Sequence, residues 1–354
     1  MRAAETPNRG RDRPLQRSAE RRVAVHRHGE AELVVRQAID VHAQDDAACG
    51  SRLTGVATSP FAECVDRLAL ARTRSQRLAE DGHSVGWGLE GQVAIRVAGF
   101  DGAAITRRGV FRSTTSAVLV KPVECGSASC LVLALAEGNY KDEASVVAAE
   151  ACIAAFAAEF DRALMSEADV APALRRAVLE GHESAWLLSA EKIPAGLFST
   201  VMGPRKDLRG IGTSVVAALL HPEHAWVVSI GECPAWVVRE GRASRLNHPH
   251  TLANDPEHRA AARLDPSQAI EFANSVVTKV LGLTPEPPAF DVTRLELRSR
   301  DLVVLGNEWL SPHAASMASG GAACTASELC KALAAAVEQE PAPMPVAVLV
   351  GARQ

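Results

Sequence analysis

Short apolar runs of strand length fill the C-terminal two-thirds of this chain, and they come in groups rather than singly between helices. Cys130–Glu137 (CLVLALAE), Ile211–Leu220 (IGTSVVAALL), His224–Gly231 (HAWVVSIG), Pro234–Glu240 (PAWVVRE), Leu302–Leu305 and Pro345–Val350 (PVAVLV) are such runs. Apolar runs this short, bounded by turn signals, read as buried strands. Gln92–Phe100 alternates and reads as another strand, and Ala104–Pro122 as a strand pair around a polar turn. Glu232-Cys233-Pro234 and Glu240-Gly241 supply turns.

Helical periodicity sits between the strand groups. Val146, Ala149, Ile153, Phe156, Phe160 and Leu164 follow one another at spacings of three and four, which predicts one apolar helix face. Ser166 and Asp169 form a capping box ahead of a second helix carrying Val170, Leu174, Val178 and Ala185. Ser267–Gly282 is expected to be helical, with Gly282 as its stop. Thr325 and Glu328 cap a last helix carrying Leu329, Leu333 and Val337. Strands in runs and helices in pairs argue for an α+β fold of layered sheets covered by helices, not for a β-α-β alternation.

Composition narrows the function classes. The 354-residue chain is 47% hydrophobic, enough for a full core, and its formal charge of −4 gives no nucleic-acid signal. Only 4% of residues are aromatic, with one tyrosine, which argues against base-stacking platforms. The eight cysteines form no C-x-x-C pair and are expected to be buried thiols in a reducing compartment. No apolar run has the roughly 20 residues of a membrane span. The start has no apolar h-region, so the expected location is the cytoplasm. Residues 1–22 carry seven arginines against three acids and read as a disordered basic tail. Residues 23–90 show weak periodicity, and 1–90 is taken as an N-terminal extension of unknown structure.

Asp301–Ser311 (DLVVLGNEWLS) delivers a carboxylate, Glu308, to the end of a buried strand, a good place to hold a metal ion. By themselves Glu137 and Glu308 also fit ordinary strand-end acids in water, and Glu232 fits a turn residue. His248 and His250, and His221 and His224, lack a third ligand at sensible spacing and are expected to be structural.

Five segments together resemble the metal-dependent (PPM, type 2C) serine/threonine protein phosphatase family. Gly109–Val120 (GVFRSTTSAVLV) is similar to G-x-x-R-x-x-N-E-D-A. Ala134–Ser145 (ALAEGNYKDEAS) is similar to V-A-D-G-M-G-G…A-S. Gly210–Leu220 is similar to G-M-G-T-T with its strand, Val227–Val238 to V-A-N-V-G-D-S-R-A-Y, and Asp301–Ser311 to D-x-L-L-L-C-S-D-G-L. The resemblance covers about residues 95–352. It implies a four-layer α-β-β-α sandwich of the PPM phosphatase type, with the active site at one end of the sandwich.

The family hydrolyses phosphate esters with two divalent cations held by aspartates and waters, so carboxylate placement decides activity. Here the opening Asp falls on Ala117 or Ser116. The Asp-Gly pair becomes Glu137-Gly138, Gly-Asp becomes Gly231-Glu232, and Ser-Asp-Gly becomes Asn307-Glu308-Trp309. The closing Asp-Asn pair falls on Ala342 and Pro343, and the candidate for the phosphate-binding arginine is Arg112, with Arg107 and Arg108 as close competitors. Each Asp-to-Glu change adds a methylene, about 1.5 Å of reach. Trp309 puts an indole where the family has glycine, and Lys141 adds a positive charge near the former metal loop.

The resemblance therefore implies a PPM-type domain with a degraded metal site, a pseudophosphatase that acts by binding a protein partner such as a phosphoprotein or a kinase, with no nucleic acid and no membrane. The alternative is a divergent active serine/threonine phosphatase. In that case Glu137, Gly138, Glu232 and Glu308 would be the metal positions and Mn²⁺ or Mg²⁺ the cofactor; otherwise no cofactor is expected.

Overall fold

The computed structural model describes residues 91–107, 116–138, 143–162, 164–187, 212–255, 276–313, 325–340 and 345–354. The expectations for residues 1–90, Arg112, Asn139–Lys141, Ala342 and Pro343 lie outside the described residues. The first group of elements comprises β1 (Gly91–Val97), β2 (Phe100–Arg107), β3 (Ser116–Cys125), β4 (Ala128–Gly138), α1 (Glu143–Glu159) and α2 (Val170–Leu187). Then come β5 (Thr213–Leu220), β6 (His224–Ile230), β7 (Ala235–Arg239), β8 (Arg242–Arg245), β9 (Val292–Glu296), β10 (Leu302–Gly306), α3 (Ala326–Glu338) and β11 (Val346–Arg353).

The strands form two antiparallel sheets. One has the order β1-β2-β11-β10-β7-β8, the other β3-β4-β5-β6-β9. Alternation along each inner strand builds three core layers. On β4, Leu131, Leu133 and Leu135 join Val303, Leu305 and Leu349 between the sheets. Its other face, Cys130, Val132, Ala134 and Ala136, packs with Ile153, Phe156 and Leu174 of α1 and α2. On β10, Leu302 and Val304 meet Leu329 and Leu333 of α3. The result is the four-layer α-β-β-α sandwich. A strand covered on both faces has no polar side to display, which is why CLVLALAE reads as an unbroken apolar run.

The helices follow the same logic. The expected single apolar face of α1 understates its burial: Ala148, Ala149, Ala151, Cys152, Ile153, Ala154, Ala155 and Phe156 are all buried. A helix held between a sheet and a second helix is apolar nearly all round. The Phe156 side chain alone contributes about 1.5–3 kcal/mol by burial. Glu159, also buried, is clamped by Arg176 of α2 at 2.8 Å and by Arg162 at 3.4 Å. The Ser166–Asp169 and Thr325–Glu328 capping boxes form as the spacing predicts.

One segment and two edge strands differ from expectation. Val276–Gly282 is extended, not helical, bridging Thr251 through Val277 and Thr213 through Leu281. Gly282 is no helix stop. At φ +78° it lets the backbone lie against α2, where a Cβ would come within 2.5 Å of the Ala185 Cβ. The earlier part of that expected helix lies outside the described residues. Strands β8 and β9 were not legible, being short and largely polar on sheet edges. Cys125, Cys130, Cys152, Cys233 and Cys330 are buried free thiols. Burial pushes Cys130 and Cys152 up to about 12, so neither is a nucleophile. No helix among the described residues is long and apolar enough to cross a membrane.

Candidate functional site

The site is a rim where both sheets end. The two-residue period that turns Leu131, Leu133 and Leu135 toward the facing sheet turns Glu137 the same way. Ser116 and Ser214 lie directly beside it, as its register partners on β3 and β5. Ala117 is out of this row and packs in the helix-facing core. Register thus decides what spacing left open: Ser116, not Ala117, occupies the rim, and it carries no carboxylate. The Thr213 hydroxyl donates to the Glu137 carbonyl at 3.0 Å and fixes the strand end.

From the facing sheet come Cys233, just before β7, and Asn307, just after β10. Asn307 Nδ2 donates to Glu137 Oε1 at 3.4 Å and to the Pro345 carbonyl at 2.9 Å. Cys233 Sγ donates to Glu137 Oε2 at 3.8 Å. Burial raises the Cys233 thiol well above its ordinary range, and the charges of Glu137, Glu232 and Glu308 raise it further. The thiol therefore stays protonated and acts as a donor. Glu137 is buried, whereas Glu232 and Glu308 are half-exposed. Asn307 is fully buried, and its Oδ1 has no hydrogen-bond partner among the described residues.

The turn carrying Glu232 and Cys233 is held rigidly. Gly231 sits at φ +95°, and a Cβ there would lie 2.1 Å from the Ser214 hydroxyl, so this backbone needs glycine. The Gly231 amide donates to His250 Nδ1 at 3.1 Å, and the His250 amide returns a bond to the Gly231 carbonyl at 2.8 Å. Asn247 Oδ1 accepts from the Ala235 amide at 2.8 Å, and its Nδ2 donates to the Cys233 carbonyl at 2.9 Å. Burial and the Lys279 charge lower the His250 pKa, which keeps Nδ1 free to accept. His250 is structural, as expected.

No protein-family model and no curated protein matches the sequence. Solved structures do match the fold. The Streptococcus agalactiae serine/threonine phosphatase superimposes with a TM-score of 0.57 at 19% identity, over 72% of this chain and 100% of that one. The catalytic domain of the phosphatase PstP, in complex with two manganese ions, gives 0.52 at 21% identity, over 72% and 97%. The PPM Ser-Thr phosphatase MsPP from Mycobacterium smegmatis, in complex with cacodylate, gives 0.50 at 17%, over 70% and 96%. The chain has the PPM phosphatase fold.

The residues picked out by motif are distributed over three strand ends and turns. Glu137 and Gly138 end β4, with Gly138 beside Thr213; Glu232 lies in the turn between β6 and β7; Glu308 opens a 3₁₀ turn after β10. Trp309 lies half-buried in that turn. Cys233 and Asn307, which supply the contacts to Glu137, were not singled out from sequence as partners of that carboxylate. The signal was positional: each neighbours a motif carboxylate and follows an apolar strand. Among the described residues, the oxygen groups on or next to these strand ends include the three carboxylates, the Ser116 and Ser214 hydroxyls and Asn307 Oδ1. Among the described residues, the one group of three His, Cys, Asp or Glu side chains with ligand atoms within 4.8 Å of one another is elsewhere: Glu167, His221 and His224.

Proposed function

We propose that this protein is a PPM-fold pseudophosphatase, which recognises a protein partner, a phosphoprotein or a kinase, without hydrolysing phosphate. One observation carries the reading: both carboxylate oxygens of Glu137 accept bonds from protein donors, Asn307 Nδ2 and the Cys233 thiol. A pair of hard divalent ions needs oxygens turned toward the metal in near-ideal geometry. Glu137 is turned toward protein instead, and its register neighbour Ser116 adds no charge. This donor set does not fit two magnesium or manganese ions, so no hydrolytic step is derived through them. The chain's own residues form a closed polar contact between the sheets that rigidifies one end of the sandwich.

The unpartnered Asn307 Oδ1 favours a second reading, a divergent active phosphatase holding a cation among Asn307, Glu137, Glu232 and Glu308. A buried carbonyl without a donor is what a cation would satisfy. The discriminating experiment assays the full chain on a phosphoserine peptide and a chromogenic phosphate ester with Mn²⁺ or Mg²⁺. The pseudophosphatase reading expects no turnover above buffer. Turnover that disappears in Glu137→Ala and Glu308→Ala replaces it with the second reading.

A further inference from the structure

We propose that Glu167, His221 and His224 form a binding site for a single divalent transition-metal ion of the zinc class, at the end of the sandwich away from the rim. His221 and His224 flank the β5–β6 hairpin turn, which is closed by the His221 amide donating to the His224 carbonyl at 2.8 Å. Glu167 reaches it from the single 3₁₀ turn ahead of α2. Ser214 beside Glu137 and His221 are seven residues apart along β5, roughly 23 Å at strand rise. This site is therefore separate from the phosphatase-type rim and stands whatever that rim does.

The donor set is chemically apt. Two imidazoles and a carboxylate with an open fourth position suit zinc, a borderline ion that tolerates mixed nitrogen and oxygen ligands. Glu167 Oε1 lies 3.2 Å from His224 Nδ1. Two ligands that far apart, each about 2.0–2.1 Å from an ion, subtend about 100–105°, close to a tetrahedral edge. All three residues are half-exposed, so an ion has a path in. His221 Nδ1 accepts only a long 3.4 Å bond from the Glu223 amide, which an ion at that nitrogen would replace.

The cluster already attracts a cation. The Arg294 guanidinium, on edge strand β9, donates to Glu167 Oε1 at 2.5 Å, and the same nitrogen lies 3.1 and 3.0 Å from the two ring nitrogens of His224. It also rests over Trp226, 5.4 Å from the ring centroid. Its side chain is 51% exposed, and an ion pair so open to water is weak and readily released. Arginine and metal thus compete for one acceptor set. The bound ion would tie the start of α2 to the β5–β6 hairpin, and Trp226, 6.1 and 5.9 Å from the two imidazoles, would report its arrival.

The test is calorimetric titration of the full chain with ZnCl₂, together with Co²⁺ titration followed by visible absorption and tryptophan quenching. One ion per chain is expected, with a tetrahedral cobalt spectrum. His221→Asn and His224→Asn should each weaken binding by more than roughly tenfold, since loss of even an outer-shell partner costs about 10–100-fold. Arg294→Ala should tighten it by removing the competitor, and Glu137→Gln with Glu308→Gln should leave it unchanged. Circular dichroism confirms that each variant is folded. The proposal is overturned if neither the native chain nor Arg294→Ala binds, or if binding survives both histidine substitutions.

Discussion

The two ends of the β3-β4-β5-β6-β9 sheet carry carboxylates in opposite situations. At the rim, Glu137 is buried and takes its bonds from an amide and a thiol, both neutral. At the far end, Glu167 is half-exposed and bonded by a guanidinium with two imidazoles alongside. Strand β4 delivers the first, and the 3₁₀ turn ahead of α2 brings the second to the β5–β6 hairpin. A buried carboxylate must have its bonds supplied by the fold, because water is not there to supply them. An exposed one keeps its partners loosely and can exchange them. The rim is thus built as a fixed structural contact, whereas the far end is built for exchange.

The largest effect should come from adding charge to the rim. Asn307→Asp would place a carboxylate between Glu137 and the Pro345 carbonyl, two acceptors that it cannot bond. An uncompensated buried charge costs about 3–5 kcal/mol. Urea unfolding at pH 8 should show a loss of that size, unrelieved by Mn²⁺. Restoration of stability by Mn²⁺ would mean that the rim can accept an ion, and the contrast between the two ends would then narrow. Gly231→Ala comes next. It combines left-handed backbone with a Cβ 2.1 Å from the Ser214 hydroxyl and 2.9 Å from its Cα. Backbone strain and overpacking each cost about 1–3 kcal/mol, so the unfolding midpoint should fall sharply. A substitution within 0.5 kcal/mol of the native chain would show the turn to be adjustable.

How much of this was legible beforehand depended on sequence distance. Most of the strands could be read because they are local apolar runs; β8 and β9, short and largely polar, could not. The capping boxes could be read because Ser166 and Asp169, or Thr325 and Glu328, are three residues apart. The Cys233–Glu137 contact spans 96 residues and the Asn307–Glu137 contact 170, and no local pattern encodes either. Ser116 and Ala117 were indistinguishable until register with Glu137 set their faces, since a shift of one residue exchanges the two sides of a strand. His221 and His224 lacked a third ligand by spacing because Glu167 stands 54 residues before His221 and arrives only by packing.

Acid should act on the rim and the α2 contact through histidines held neutral. Burial lowers the His182 pKa; its Nδ1 accepts from the Gly282 amide at 3.2 Å, with Nε2 3.3 Å from the Pro285 carbonyl. His250 is lowered as well, by burial and Lys279. As pH falls through about 6.5, the unfolded chain takes up these protons first. Stability is therefore unaffected well above pH 6.5 and falls below it, with a slope of at most about 1.4 kcal/mol per pH unit for each histidine. Urea melts at pH 7.5 and 5.5 measure the difference, expected at about 1–3 kcal/mol. His250→Asn should reduce the slope and loosen the turn at Gly231. Unchanged stability at pH 5.5 would mean that neither ring is held neutral by the fold.

The smallest effect is expected at the far end. Glu167→Gln removes the carboxylate from Arg294 and His224 but leaves the capping contact of Ser166 with Asp169, at 2.9 Å, intact. Ion pairs this exposed are worth about 0–1 kcal/mol and weaken in salt. The variant should lose less than about 1 kcal/mol at low ionic strength, and the difference should vanish in high salt. A loss beyond about 2 kcal/mol that persists in high salt would make Glu167 a fixed clamp like Glu137. The two ends would then differ in residue type but not in kind, because an acceptor so firmly engaged with arginine would have nothing to exchange.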